Sequence, residues 1–196
     1  MKTHRLSFTL LVAFFTSVEL FGQTQEIRLF SHRGGRMEND ENTLKAFKAS
    51  YDAGYRGFET DIRMTKDGEL VITHDSSLER TTNGKGVVED HTKTEIMQLQ
   101  TKQGNKMIFL DELLVFLQDK KGLYVEFEMK TSPASLYPED RLKEYCDKLY
   151  KKVMEKRPSD ALYVFTSSDY RALRYLQSHY PGVDLLLITS KPCNAE

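Results

Sequence analysis

The sequence predicts an α/β chain: a parallel sheet with helices packed outside it. Two observations carry that expectation. From Glu26 onward, short β-like runs alternate with amphipathic helical stretches. Ionisable residues recur at or just after the ends of those runs, as in SHRGG (31–35), FETD (58–61) and VITHD (71–75).

Residues 27–31 are the first strand candidate and end beside His32. Residues 43–55 read as a helix, with Leu44, Phe47 and Tyr51 on one face and Asn42 or Thr43 as N-cap. Gly54 and Gly57 close it. Residues 57–64 and 69–74 are the next two strands. No helix fits between Asp61 and His74, and Asp67-Gly68 is a tight-turn signal instead. A two-residue turn there would set Lys66 opposite Glu69, Met64 opposite Val71 and Asp61 opposite His74. Residues 110–120 are helical, with Leu110, Leu113, Leu114 and Leu117 at i, i+3, i+4 and i+7, ended by Gly122. Residues 123–129 form the fourth strand. Residues 138–156 form a long helix that turns Leu142, Tyr145, Cys146, Leu149 and Val153 inward. Residues 161–167, 169–180 and 183–189 follow as strand, helix and strand.

The chain has 196 residues and a formal net charge of −1, the make-up of one globular domain. That balance gives no support for nucleic-acid binding through a broad basic field. Lys2, His4 and Arg5 precede a mostly apolar run over residues 6–15. The run is shorter than the about 20 residues a membrane helix needs. Residues 1–22 therefore read as a secretory signal cleaved after Gly22, and residues 23–196 as an exported domain, periplasmic or secreted. No membrane span is expected after signal removal. Cys146 continues the apolar face of a helix and Cys193 lies in a polar tail, so no disulfide is predicted.

The chemistry concentrates in a few positions. Glu59 and Asp61 are two apart on a strand and share a face, as do Glu128 and Lys130, with Glu126 one step deeper. Carboxylates on a buried strand face are costly unless paired or bound to a cation. Three from two strands suit Ca²⁺ or Mg²⁺; an ion-pair cluster with Lys130 and Arg33 is the competing reading. His32 and His74 at strand ends favour the cation. Imidazoles titrate near neutrality, so one can take a proton while the other gives one. Arg33 offers a planar fork for phosphate oxygens. His91 and His179 lack such context and read as surface residues.

The ordered set HRG (32–34), ENT (41–43), ETD (59–61), TKDG (65–68), HD (74–75), LERTTNGKG (78–86) and EMK (128–130) resembles the glycerophosphodiester phosphodiesterase family over residues 27 to about 189. The resemblance implies a TIM-type (β/α) barrel. It implies hydrolysis of small-molecule glycerophosphodiesters to glycerol 3-phosphate and an alcohol with a divalent metal, Ca²⁺ or Mg²⁺. By position, Glu59, Asp61 and Glu128 match the metal ligands, and His32 and His74 the general acid/base pair. Arg33 and Lys130 match phosphate-binding cations. Glu41 and Asn42 match the acid and amide beside the site, with Asn42 helping to ligate or position the metal. The implied reaction is attack of the glycerol 2-hydroxyl on phosphorus, followed by opening of the cyclic phosphate with water.

Three positions depart from the family pattern. Asp40 stands where Pro precedes ENT, which predicts a more mobile loop or an added cation ligand. Ser168 stands where Phe lies between Ser167 and Asp169. There is no Trp, and six strand candidates fall short of eight. A full barrel takes about 200–250 residues, so the expectation is a C-terminally truncated barrel of about six strands. The alternatives are a phospholipase-D-like enzyme on lysophospholipid or sphingomyelin, which would want an apolar, aromatic or basic rim not evident here, and a truncated non-catalytic relic. Head group and oligomeric state are left open by the sequence.

Overall fold

A computed structural model describes residues 29–190. The secretory-signal reading of residues 1–22 and the tail with Cys193 lie outside the described residues. In chain order the elements are β1 (Phe30–Ser31), α1 (Leu44–Asp52), β2 (Gly57–Met64), β3 (Leu70–Ile72), α2 (Lys93–Ile96), α3 (Leu110–Leu117), β4 (Tyr124–Met129), α4 (Glu139–Glu155), β5 (Leu162–Ser167), α5 (Tyr170–His179) and β6 (Leu185–Leu187).

They form one six-stranded sheet in the order β1-β2-β4-β5-β6, with β3 paired to β2 off that path. All neighbours on the path are parallel, and only β3 is antiparallel. Sequential parallel strands linked by helices are the build of a (β/α) barrel. Among the described residues β1 and β6 each pair on one side only, so the sheet is not closed.

Period-two alternation sorts the side chains into two layers. Phe58, Ile62 and Met64 of β2, Val125, Phe127 and Met129 of β4, and Tyr163 and Phe165 of β5 join the main hydrophobic core. That core also takes Phe47 of α1, Leu110, Leu113, Leu114 and Leu117 of α3, and Leu142, Tyr145, Cys146, Leu149 and Val153 of α4. The intervening residues Glu59, Asp61 and Arg63 of β2 and Glu128 of β4 occupy the other face, and all four are buried. A strand buried on both faces is what a parallel sheet under helices requires. Here one face is apolar and the other carries the chemistry.

The helix caps follow the sequence. Thr43 accepts a hydrogen bond from the Ala46 amide at 3.2 Å and is the N-cap of α1, leaving Asn42 free for another task. Asp169 caps α5. Cys146 is a free, buried thiol pushed up to about 12 by burial.

The β2–β3 hairpin differs from the expected register by one residue. The observed partners are Ile62 with Ile72, Arg63 with Val71 and Met64 with Leu70. The Thr73 amide donates to the Asp61 carbonyl at 3.0 Å, so Thr73 and not His74 lies opposite Asp61. The turn holds three residues between Thr65 and Glu69, not two. The Thr65 amide donates to the Glu69 carbonyl at 2.8 Å, and Gly68 takes a φ of +82°. The Thr65 hydroxyl donates to Asp67 at 2.7 Å and accepts from the Glu69 amide at 2.9 Å, which holds the extra residue in place. A type I turn closed by a left-handed glycine is the common three-residue hairpin, and one residue of slip exchanges the faces.

Between His74 and Leu110 the chain makes an excursion not foreseen as ordered structure. A short turn at Val88–Asp90 and helix α2 sit on a second core of Val71, Leu78, Val88, Ile96, Met107 and Phe109. Among the described residues, no helix is long and apolar enough to cross a membrane.

Candidate active site

The site starts from the register of β2 and β4. Asp61 and Glu128 are direct partners on adjacent parallel strands, and Glu59 lies two residues before Asp61 on the same face. Ligand oxygens of Glu59, Asp61 and Glu128 all lie within 4.8 Å of one another. Burial and then the Asp61 charge push the Glu59 carboxyl up to about 8. Glu59 Oε1 and Asp61 Oδ1 are buried with no hydrogen-bond partner. Crowded, buried carboxyls of this kind fit a hard divalent cation, whose charge would favour the ionised form that burial disfavours.

Two cations already lean on the cluster, as the ion-pair reading expects, and the three carboxylates could also hold a metal. Lys130 Nζ lies 2.6 Å from Glu128 Oε1 and 3.2 Å from Asp61 Oδ1. Arg33 Nε lies 3.5 Å from Asp61 Oδ2, and the Arg33 amide donates to Glu59 Oε2 at 2.9 Å. Lys130 gives Asp61 Oδ1 an ion pair, while Glu59 Oε1 is left without a hydrogen-bond partner.

The turn after β1 places His32 and Arg33. Arg33 and Asn42 are the two non-glycine residues with positive φ, at +54° and +58° among the described residues. The Asn42 amide donates to the Arg33 carbonyl at 2.8 Å, which locks the two turns together. A Cβ on Gly34 would meet the Phe47 ring at 3.1 Å, so this turn needs glycine to seat on α1. Asn42 Nδ2 donates to Asp61 Oδ2 at 2.8 Å. His32 Nε2 is 3.7 Å from Glu59 Oε2, with its ring half exposed. Burial, then the Arg33 and Arg36 charges, hold this imidazole below its ordinary value.

His74 follows β3. Its Nδ1 is 2.6 Å from Asp75 Oδ1, and its carbonyl accepts from Arg63 Nε at 2.9 Å. His74, Asp75, Arg63, Lys130 and Ser168 line an open cavity of about 430 Å³. A larger cavity of about 670 Å³ lies among Leu29, Gly57, Tyr124 and Leu162 at the starts of the strands, away from the histidines and the acid cluster. Ser168, where an apolar wall was in question, thus gives the site cavity a polar one.

The structure brings Glu59, Asp61, Glu128, Arg33, Lys130 and Asn42 into direct contact, with Glu41 bonded to Arg33 Nη1 at 3.1 Å. His32 joins through Glu59, and His74 through the cavity it shares with Lys130. Asp40 is not loose, and it is not among the acids grouped closely enough to share a cation. Its Oδ2 accepts from the Gln103 amide at 2.8 Å and from Asn105 Nδ2 at 3.1 Å, pinning the excursion. Glu126 is bonded to the Tyr124 hydroxyl at 3.0 Å and stays out of the cluster. Sequence reasoning missed Arg80, which bonds both Glu41 and Asp75. Its place inside LERTTNGKG was the available signal.

Fold and site define an α/β barrel-type chain with carboxylates, two histidines and basic side chains gathered at one sheet face. A family model, the glycerophosphoryl diester phosphodiesterase family, matches residues 32–196. The chain belongs to that family. It is 33% identical over 167 residues to a glycerophosphodiester phosphodiesterase of Caldanaerobacter subterraneus, covering 82% of this chain and 65% of the relative. It is 35% identical over 126 residues to one of Bacillus altitudinis, covering 60% of this chain and 51% of the relative. Among solved structures, a glycerophosphodiester phosphodiesterase of Agrobacterium tumefaciens superposes with a TM-score of 0.67 at 26% identity, over 82% of this chain and 66% of that one. An Oleispira antarctica phosphodiesterase in complex with its product sn-glycerol-3-phosphate gives 0.71 at 24%, over 82% and 64%. The chain spans half to two thirds of the length of these two curated relatives.

Proposed function

We propose that this protein hydrolyses glycerophosphodiesters to glycerol 3-phosphate and an alcohol, using a divalent cation and two histidines. The observation that carries the reading is the cluster of Glu59, Asp61 and Glu128, buried beside Arg33 and Lys130 with two of its oxygens lacking a hydrogen bond. Family membership and the product bound by the Oleispira relative support the substrate class.

Glu59, Asp61 and Glu128 would hold the cation, Ca²⁺ or Mg²⁺, and Asn42 fixes Asp61 beside it. When bound, the cation supplies charge neutralisation at the phosphodiester. Arg33 and Lys130 add fixed positive charge where the transition state gains negative charge. Arg33 is held at one prong, Nη1 on Glu41 at 3.1 Å, and its Nε is buried beside Asp61 without a hydrogen bond. His32 and His74 divide the two proton transfers: one imidazole takes the proton of the glycerol 2-hydroxyl, the other protonates the departing alcohol. Asp75 holds His74 by Nδ1, which leaves Nε2 to face the cavity. On the signal reading of residues 1–22, the reaction takes place outside the cytoplasm.

The test is release of glycerol 3-phosphate from glycerophosphocholine and glycerophosphoethanolamine, with Ca²⁺ or Mg²⁺, with chelator, and with His32→Ala. Release that needs the cation and disappears in His32→Ala is expected. A folded chain that releases none with either cation sinks the reading.

A further inference from the structure

The motif LERTTNGKG has no place in the reaction described so far, and its arginine makes an unusual set of contacts. Arg80 Nη2 donates to Glu41 Oε1 at 2.7 Å and Nη1 to Glu41 Oε2 at 3.1 Å, a two-pronged pairing. Its Nε donates to Asp75 Oδ2. Asp75 Oδ1 in turn holds His74 Nδ1 at 2.6 Å, and Glu41 Oε1 accepts from Arg33 Nη1 at 3.1 Å. One guanidinium therefore spans the loop after β1 and the loop after β3. These are the loops that carry Arg33 and His74.

We propose that Arg80 is a positioning residue: through Asp75 it fixes the His74 ring with Nδ1 bonded and Nε2 open to the cavity, and through Glu41 it ties that ring to the Arg33 turn. The proposal rests on the function proposed above for its catalytic consequence, and on geometry alone for the His74 orientation.

The physical case is one of geometry and charge. Exposed single ion pairs contribute little, but a planar fork meeting two carboxylates by three N–H donors holds both in one plane. Lysine, with a single point of charge, cannot copy that. Burial works against ionisation of Asp75, yet the Arg80 and His74 hydrogen bonds outweigh it and hold the carboxyl at about 2. An ionised carboxylate only accepts, so His74 Nδ1 carries the proton of this hydrogen bond and Nε2 is the ring nitrogen left for proton transfer. Without Arg80, Asp75 is left to a single contact and can swing with the ring. The excursion itself does not depend on Arg80. It is seated by its own apolar core of Leu78, Val88, Ile96 and Met107, and by Asp40 on Gln103 and Asn105.

The experiment compares the full chain with Arg80→Ala and Arg80→Lys. Steady-state kinetics on glycerophosphocholine is read beside the side-chain nitrogen shifts of His74, assigned with His74→Gln. For Arg80→Ala, kcat is expected to fall about 10–100-fold, the usual effect of losing an orienting partner, with KM within about threefold. The His74 nitrogens should shift from the Nδ1-protonated pattern toward a tautomer mixture, and free guanidinium ion should restore part of kcat. Arg80→Lys should lose less and not respond to guanidinium. A kcat within about twofold of the parent overturns the proposal. A lowered kcat with unchanged His74 shifts and no guanidinium response overturns it too. If the parent releases no glycerol 3-phosphate, the proposed function fails by itself. The nitrogen shifts then decide this inference: a change in Arg80→Ala supports it and identical shifts overturn it.

Discussion

Asn42 and Asp61 are joined by a 2.8 Å hydrogen bond from Nδ2 to Oδ2, made from a backbone at φ +58°. Asp61 is fully buried, and Asn42 Oδ1 accepts from the Thr60 hydroxyl at 3.3 Å. The amide thus spends its side chain on the acid cluster while its neighbour Thr43 caps α1. Asparagine suits both demands, because it tolerates the left-handed region and carries donor and acceptor together.

Replacement of Asn42 separates those demands. Asn42→Gly keeps the backbone and leaves a buried carboxylate oxygen with one partner fewer, a cost of about 1–3 kcal/mol. Asn42→Ala adds about 1–2 kcal/mol of left-handed strain. Urea unfolding of both should rank alanine below glycine. Equal stability would show that the turn, not the side chain, relaxes.

Cation binding should appear as stability. At a cation concentration about 100 times Kd, binding to the folded chain adds about 2.7 kcal/mol, which for this length raises Tm by about 5–10 °C. Glu59→Gln should lose that rise. Without cation it should unfold no earlier than the parent, since a carboxyl pushed up to about 8 is already largely neutral near pH 7 and the amide replaces it without burying a charge. Thermal scans with Ca²⁺, Mg²⁺ and chelator give both readings. An undiminished rise in the variant would place the cation elsewhere.

The acid limb of stability should carry Asp75. Its folded carboxyl sits at about 2, below the about 3.9 of a free aspartate. The depressed group stabilises the fold fully above the higher value, and that contribution disappears as pH falls through about 2. Asp75→Asn should therefore be less stable than the parent at pH 5, and the gap should close between about pH 4 and pH 2. A gap that stays constant over that window would mean the ion pairs add nothing.

Tyr137 ties the hairpin to the excursion. Its hydroxyl donates to Glu89 Oε1 at 2.9 Å and accepts from the Met64 amide at 2.9 Å, in a fully buried position. Glu89 also takes the buried Arg63 at 2.8 Å. Tyr137→Phe orphans the Met64 amide and should cost about 1–3 kcal/mol in chemical denaturation. A loss under about 0.5 kcal/mol would show that water replaces the hydroxyl.

Much of the fold was legible because period and punctuation are local. Strand β2 occupies 57–64 as expected, and the inward faces of α3 and α4 are the leucine and tyrosine positions read from i, i+3, i+4 spacing. The three carboxylates were legible for the same reason: alternation along a strand assigns the face. The hairpin register was not, because the Thr65 side chain, not the Asp67-Gly68 pair alone, sets the loop length. The excursion of residues 75–109 was not legible either. Its core borrows Val71 from strand β3 and spaces its own apolar residues irregularly, so no periodic run announces it.

The sequence by itself determined the alternation of strands and helices, the family motifs and the residue types of the site, since each depends on neighbours a few positions apart. Only the tertiary structure decided that Asp61 lies against Glu128, that Asn42 reaches Asp61, and that Arg80 joins Asp75 to Glu41. Apart from Arg80 on Asp75, five residues away, those contacts cross 19 to 67 residues of chain. They are set by strand register and by the seating of loops on two cores, which no local pattern encodes.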